Sequence, residues 1–143
     1  MLKNIPPILG PDLLYVLRAM GHGDEIAIVD ANYPGDSAGP TLIRLDGLTA
    51  TEVLDAILTL MPLDTYVDEQ AIGMEVVGDP KKREATHQDF DKIIKKHEPE
   101  MKLTLLERFA FYDRVEGAYA IVQTGERRLY GNVLLKKGII RPQ

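Results

Sequence analysis

The sequence predicts an α/β fold: a three-layer sandwich with a largely parallel central sheet and an antiparallel C-terminal hairpin. Three observations carry this. Short apolar runs alternate with amphipathic helical stretches of ten or more residues. Clusters of Gly, Pro, Asn and Asp separate them. The last two strand-like runs are joined through a Gly-containing turn, Thr124-Gly125-Glu126-Arg127, which predicts that they pair antiparallel.

In chain order, Gly10-Pro11-Asp12 reads as a helix start, with Pro tolerated and Asp favourable in the first turn. Leu13, Val16, Leu17 and Met20 fall on one helical face, and Gly21 ends it. Residues 25–31 read as an interior strand bounded by turn signals. Residues 32–40 form a long loop rich in turn formers, and long loops tend to be functional or mobile. Residues 41–46 alternate well enough for a second strand. Thr49-Ala50-Thr51-Glu52 is a capping box opening a helix whose apolar face is Val53, Ile57, Leu60 and Met61, closed by Pro62. Residues 71–78 read as a third strand, and residues 81–97 as a charged helix with Phe90, Ile93 and Ile94 inward. Residues 103–106 predict a fourth strand, 108–118 a helix through Phe111, Tyr112 and Val115, 119–124 a fifth strand, and 129–135 the last. With no internal repeat or linker, residues 1–143 are expected to form one domain.

Composition excludes several classes of function. The chain has 143 residues, 45% of them apolar, enough for a real core. A formal net charge of −5 argues against nucleic-acid or anionic-membrane binding. No window approaches the ~20 apolar residues of a membrane span, and residues 1–9 do not read as a signal peptide. A cytoplasmic location is expected. No cysteine is present, so neither a disulfide framework nor a thiolate metal site is available. No Gly-rich phosphate fingerprint follows the first strand, and the single serine, Ser37, sits in a loop rather than a nucleophile elbow. His22, Asp24 and Asp30 match no metal-ligand spacing on a helix or strand, so no metal is expected. His87 and His97 lie off-phase on a charged helix and are expected to be solvated.

The candidate site residues are polar groups at strand ends, where α/β sheets bind ligands. His22 stands between Gly21 and Gly23 at the mouth of the first strand. It reads either as a proton carrier near neutral pH or as a loop residue beside an ordinary helix C-cap. Asp30 ends that strand, and a carboxylate there is hard to bury without partners. Arg108 follows the fourth strand and reads as a ligand-binding cation or as a surface ion-pair partner of Glu107 or Asp113. Tyr130-Gly131-Asn132 falls inside the last predicted strand, where a glycine often marks close approach of a ligand or another backbone. Tyr130 reads equally as a half-buried strand aromatic.

Four segments, in order and spanning the chain, carry a resemblance: Gly21-His22-Gly23-Asp24-Glu25-Ile26; Asp30-Ala31; Arg108-Phe109-Ala110-Phe111-Tyr112-Asp113-Arg114; and Thr124-Gly125-Glu126-Arg127 leading to Tyr130-Gly131-Asn132-Val133-Leu134-Leu135-Lys136-Lys137-Gly138. The sequence resembles the fucose branch of the fucose mutarotase and ribose pyranase family. Gly23, Gly131 and the Arg108–Tyr112 run favour that branch over the ribose branch, whereas Asn32 stands where many fucose-branch members have His.

The resemblance implies a helix–sheet sandwich that binds a monosaccharide with no metal or organic cofactor. It also implies a homo-oligomer, up to a decameric ring, with sites at subunit interfaces. It carries proton transfer onto His22, and sugar binding onto Asp30, Arg108, Tyr130, Gly131 and Asn132. The expected reaction is interconversion of the α and β anomers of L-fucose by general acid/base ring opening and closure. A pyranase or mutarotase for ribose or another aldose is the alternative, as is a sugar-binding module without catalysis.

Overall fold

The computed structural model describes residues 1–143, which fold into four α-helices and six strands, with a single 3-10 turn at Asp36–Ala38. They are α1 (Pro11–Ala19), β1 (Glu25–Val29), β2 (Thr41–Leu45), α2 (Ala50–Leu60), β3 (Ala71–Met74), α3 (Ala85–His97), β4 (Leu103–Leu106), α4 (Arg108–Glu116), β5 (Ala120–Thr124) and β6 (Val133–Lys136). All six strands join one sheet in the order β2-β5-β1-β6-β3-β4. β1, β2 and β5 run parallel to one another, as do β3 and β4. β6 is the antiparallel strand between β1 and β3.

The central strands bury both faces, as expected for a sheet covered by helices on each side. Ile26 and Ile28 of β1, with Val133 and Leu135 of β6, pack against α1, α2 and α3 through Leu13, Val16, Leu54, Ile57, Phe90 and Ile94. The alternate residues Ala27, Val29, Ile121 and Leu134 pack against α4 through Phe111 and Val115, and against Tyr33 of the loop after β1. The period of two along each strand thus divides the core into the two halves of a sandwich.

Each helix end has a local cause. Pro11 occupies the first turn of α1. The Lys137 ammonium donates to the carbonyls of Leu17 and Met20, which a helix C-terminus leaves unpaired. The predicted capping box is formed at α2: the Glu52 amide donates to Thr49 Oγ1, and the Thr49 amide to Glu52 Oε2. Glu107 accepts from the Ala110 amide and caps α4 directly at the end of β4.

The fold class stands as predicted, with three differences in detail. First, the antiparallel final strand does not form a hairpin with β5, because β1 lies between them. The connection is the eight-residue stretch 125–132, long enough to step past β1, whereas tight hairpin loops span two to five residues. Second, Tyr130-Gly131-Asn132 belongs to that connection rather than to the last strand. Tyr130 has φ +57°, a left-handed conformation incompatible with a strand. Third, β3 stops at Met74 and α3 starts at Ala85, since Val76 and Asp79 form a tight turn through Gly78.

His87 and His97 are not solvated. His87 is fully buried: its Nδ1 accepts from the Glu84 amide at 3.0 Å, and its Nε2 lies 2.9 Å from the Met74 carbonyl. A ring that accepts at one nitrogen and faces a carbonyl at the other is the neutral Nε2–H tautomer. Burial depresses its pKa accordingly. His97 lies 2.6 Å from Asp55, joining α3 to α2.

Candidate active site

The sheet's topology decides which candidates meet. β6 is antiparallel to its neighbours, so its first residue pairs with the carboxyl ends of β1 and β3. Asp30 after β1, Met74 at the end of β3, Arg108 just beyond β4, and Asn132 before β6 therefore share one edge. With Asn32, Tyr33, Val77, Tyr112, Leu129 and Tyr130 they line a cleft of about 200 Å³. Gly131 lies behind it.

Asp30 is the anchor, only 6% exposed. Its Oδ1 accepts from the Asn32 amide at 3.0 Å and its Oδ2 from the Gly131 amide at 3.2 Å. The Asp30 amide donates to Asn132 Oδ1 at 2.8 Å, and the Asp30 carbonyl accepts from Gln123. Burial pushes the Asp30 carboxyl above the ordinary carboxylate value, against the opposing pull of the Asn32 and Gly131 amides. Gly131 has no room for a side chain, since a Cβ there would lie 2.7 Å from Cγ of Glu126 and 3.2 Å from Cβ of Asp30. The close backbone approach is thus the reason for glycine.

Two buried polar atoms on residues that line this cleft have no hydrogen-bond partner within the protein: the Tyr33 hydroxyl and Arg108 Nε. Buried polar groups are nearly always paired, and leaving one unpaired costs about 1–3 kcal/mol. Burial, reinforced by Tyr112, Glu116 and Asp30, raises the Tyr33 phenol far above its usual value, so it remains a donor. The Arg108 guanidinium lies 4.4 Å from the centre of the Phe109 ring. Tyr130 accepts the Val77 amide at its hydroxyl, 3.0 Å away. The cleft therefore offers a buried acceptor, unpaired donors and aromatic faces, a combination suited to a polyhydroxyl ligand.

His22 is elsewhere. It precedes β1, whereas Asp30 follows it, and five strand residues at about 3.3 Å each separate the two edges by roughly 16 Å. Its neighbours confirm the placement. Nε2 lies 2.9 Å from Asp64 Oδ1, and Asp64 is tied by its own amide to the carbonyl of Lys136, at the far end of β6. Tyr66 packs on the imidazole at 5.4 Å between ring centres. Asp64 is 3% exposed. Burial opposes its ionisation, but hydrogen bonds from His22 and the Tyr66 amide outweigh that and hold its carboxyl below the ordinary range. The ionised carboxylate makes Nε2 the donor of this bond and leaves Nδ1 outside it. Gly23, at φ +89°, makes the turn that presents this histidine.

The structure thus gathers Asp30, Arg108, Tyr130, Gly131 and Asn132, and sets His22 apart from them at the opposite edge. Sequence reasoning missed Tyr33, Met74, Tyr112 and Asp64 as site residues. Tyr33 gave one usable signal, an aromatic inside the turn-rich loop directly after Asp30.

Fold and cleft together define a small α/β protein with a polar, aromatic-walled cleft at the carboxyl edge of its sheet. Residues 3–140 match the RbsD / FucU transport protein family, and the chain belongs to it. It is 44% identical to the human (Homo sapiens) fucose mutarotase over 145 residues, which is 97% of this chain and 94% of that protein. It is 46% identical to the fucose mutarotase of Danio rerio over 149 residues, covering 100% and 97% of the two chains. Among solved structures it resembles the fucose mutarotase of Streptococcus pneumoniae in complex with L-fucose, with a TM-score of 0.90, 46% identity, and 98% of this chain and 100% of that one covered.

Proposed function

We propose that the whole chain acts as one sugar-handling unit that interconverts the α and β anomers of L-fucose, with His22 as the acid/base and Asp30, Arg108, Tyr130, Gly131 and Asn132 holding the sugar. The observation that carries the binding half is the pair of unpartnered polar groups, Tyr33 Oη and Arg108 Nε, beside the buried Asp30 carboxylate. The reaction follows from the similarity to fucose mutarotases over nearly the full chain.

The chemistry matches the residue types. Mutarotation removes the anomeric hydroxyl proton while the ring oxygen gains one; the ring opens, the carbonyl turns, and reclosure reverses both transfers. A positioned acid/base contributes roughly 10²–10⁴-fold. His22, with Nε2 committed to Asp64, would carry the proton on Nδ1. Asp30 would accept hydrogen bonds from sugar hydroxyls. Tyr33, Arg108 and the Asn132 amide would donate to sugar oxygens, and the Tyr130 ring would pack on the sugar.

With His22 and Asp30 at opposite edges of the sheet, roughly 16 Å apart along β1, a shared site between subunits is the arrangement we favour. One subunit would supply the carboxyl-edge cleft and its neighbour the His22–Asp64 pair, in a homo-oligomer with the decameric ring as the form we favour. A cysteine-free chain suits the reducing cytoplasm, where we place the enzyme.

Magnetisation-transfer NMR on purified protein tests the reading, because it reports anomer exchange at equilibrium without a coupled assay. L-Fucose should exchange faster with the protein than without it, before and after treatment with a chelator. Binding without acceleration would reduce the chain to a sugar-binding module.

A further inference from the structure

Residues 125–132 carry three of the proposed sugar-site residues yet contain no helix or strand. Tyr130, moreover, sits in a left-handed conformation, which a non-glycine residue adopts at a cost and holds only when its surroundings enforce it. The enforcing contacts come from the first turns of α3. Thr86 Oγ1 donates to the carbonyl of Leu129 at 2.9 Å and to that of Tyr130 at 3.3 Å.

The largest of these contacts is ionic. Arg128 Nη1 donates to Asp89 Oδ2 at 2.7 Å, while Nη2 and Nε donate to the two oxygens of Glu126 at 3.0 and 3.3 Å. One planar guanidinium thereby holds two carboxylates, which a lysine ammonium lacks the fork to do. Glu126 is a buried carboxylate, 3% exposed. Burial opposes its charge, and the bonds from Arg128 overcome this and keep it ionised. Glu126 also reaches the site: its carbonyl accepts the Ala31 amide at 2.9 Å, next to Asp30, and its Cγ backs onto the bare Cα of Gly131.

We infer that Arg128 is a positioning residue for the sugar cleft: by bridging Glu126 to Asp89 it locks residues 125–132 against α3, and so fixes the Gly131 amide on Asp30 and Tyr130 in its turn. The kinetic consequence rests on the proposed fucose reaction, whereas the clamp itself does not. Arg128 and Asp89 keep 41% and 42% of their side chains exposed, so their loss empties no core volume.

The test has one arm without sugar and one with it. In hydrogen–deuterium exchange without ligand, Arg128→Ala should speed exchange in residues 126–132 by about tenfold while β1 and β5 keep their protection. In anomer exchange, the same variant should raise KM for L-fucose about tenfold with kcat within about threefold, the pattern of lost binding geometry. Arg128→Lys should recover only part of either effect. Asp89→Ala should show the same pattern more weakly and add nothing to Arg128→Ala, because both break one bridge.

Unchanged exchange in residues 126–132 would overturn the inference. So would a rise spread evenly over the chain, or KM effects that add in the double variant. A wild-type protein that leaves fucose anomers unaccelerated would sink the proposed reaction but leave the exchange arm to judge the clamp.

Discussion

At the scale of single residues, the proposed proton carrier, His22, lies apart from the residues proposed to hold the sugar. His22 is bound through Nε2 to a buried carboxylate, Asp64, whose other hydrogen bond is the Tyr66 amide. His22→Ala should therefore slow fucose anomer exchange by roughly 10²-fold or more, the scale of a lost general acid/base. Affinity measured by titration calorimetry should change far less, because a proton carrier acts mainly in the transition state. Asp30 should behave in the opposite way, with Asp30→Ala weakening binding first. Burial raises the Asp30 carboxyl, so on acidification it takes up its proton at a higher pH than an ordinary aspartate. Fucose affinity should be full above that raised value and fall as pH drops through it. Calorimetry over a pH series checks this, and an affinity independent of pH down to the ordinary carboxylate range would refute it. Asp30 stood out in the sequence because a carboxylate closing an apolar strand must find partners. Asp64 did not, because its partner is 42 residues away and only the fold supplies it.

At the scale of elements, local signals reported local structure well. The capping box at Thr49–Glu52 opens α2 where it was expected, and Thr49→Ala should cost about 1 kcal/mol in chemical denaturation while leaving sugar affinity unchanged. The C-terminal strand is the counterexample. Its turn residues show that the chain reverses, but the strand that receives β6 is chosen by packing across the whole sheet, and β1 takes the place next to it. The histidines of α3 show the same limit. His87 lies on a helix that reads as charged and solvated, yet it is buried between the Glu84 amide and the Met74 carbonyl, with its ring 6.1 Å from that of Tyr130. Removing it with His87→Ala would strand both groups and should cost about 2–4 kcal/mol. Its pH dependence has a definite sign. Burial depresses the folded-state pKa, so below the ordinary value of 6.5 the unfolded chain binds a proton that the folded chain refuses. The stability contributed by neutral His87 is thus present above that pH and lost progressively as pH falls towards the depressed value. Denaturant titrations of wild type and His87→Ala should diverge less as the pH is lowered through that window.

At the scale of the whole molecule, the parallel sheet sets a polarity that one chain cannot fold back on itself. Asp30, Arg108, Tyr130 and Asn132 lie at the carboxyl edge, and His22 with Asp64 lies at the other. The candidate residues stood out in sequence by their places at strand ends, but their roles came from the family resemblance, because His22 beside a helix end and Tyr130 in a strand read equally as plain structure. Their separation was legible in part, since His22 precedes the first strand and Asp30 closes it; the partners each finds, Asp64 at one edge and Asn132 at the other, depend on where β6 lies in the sheet. A shared site makes a quantitative prediction about mixtures. His22→Ala subunits retain an intact carboxyl-edge cleft, and Asp30→Ala subunits retain an intact His22–Asp64 pair. Each homo-oligomer should be nearly inactive. Dissociated together at equal concentration and reassembled, they should recover roughly a quarter of wild-type activity, since each heterologous contact draws one partner of each kind at random. Mixing without dissociation should recover none. If reassembled mixtures stay as inactive as the separate variants while both assemble normally, His22 and Asp30 do not serve one site across an interface.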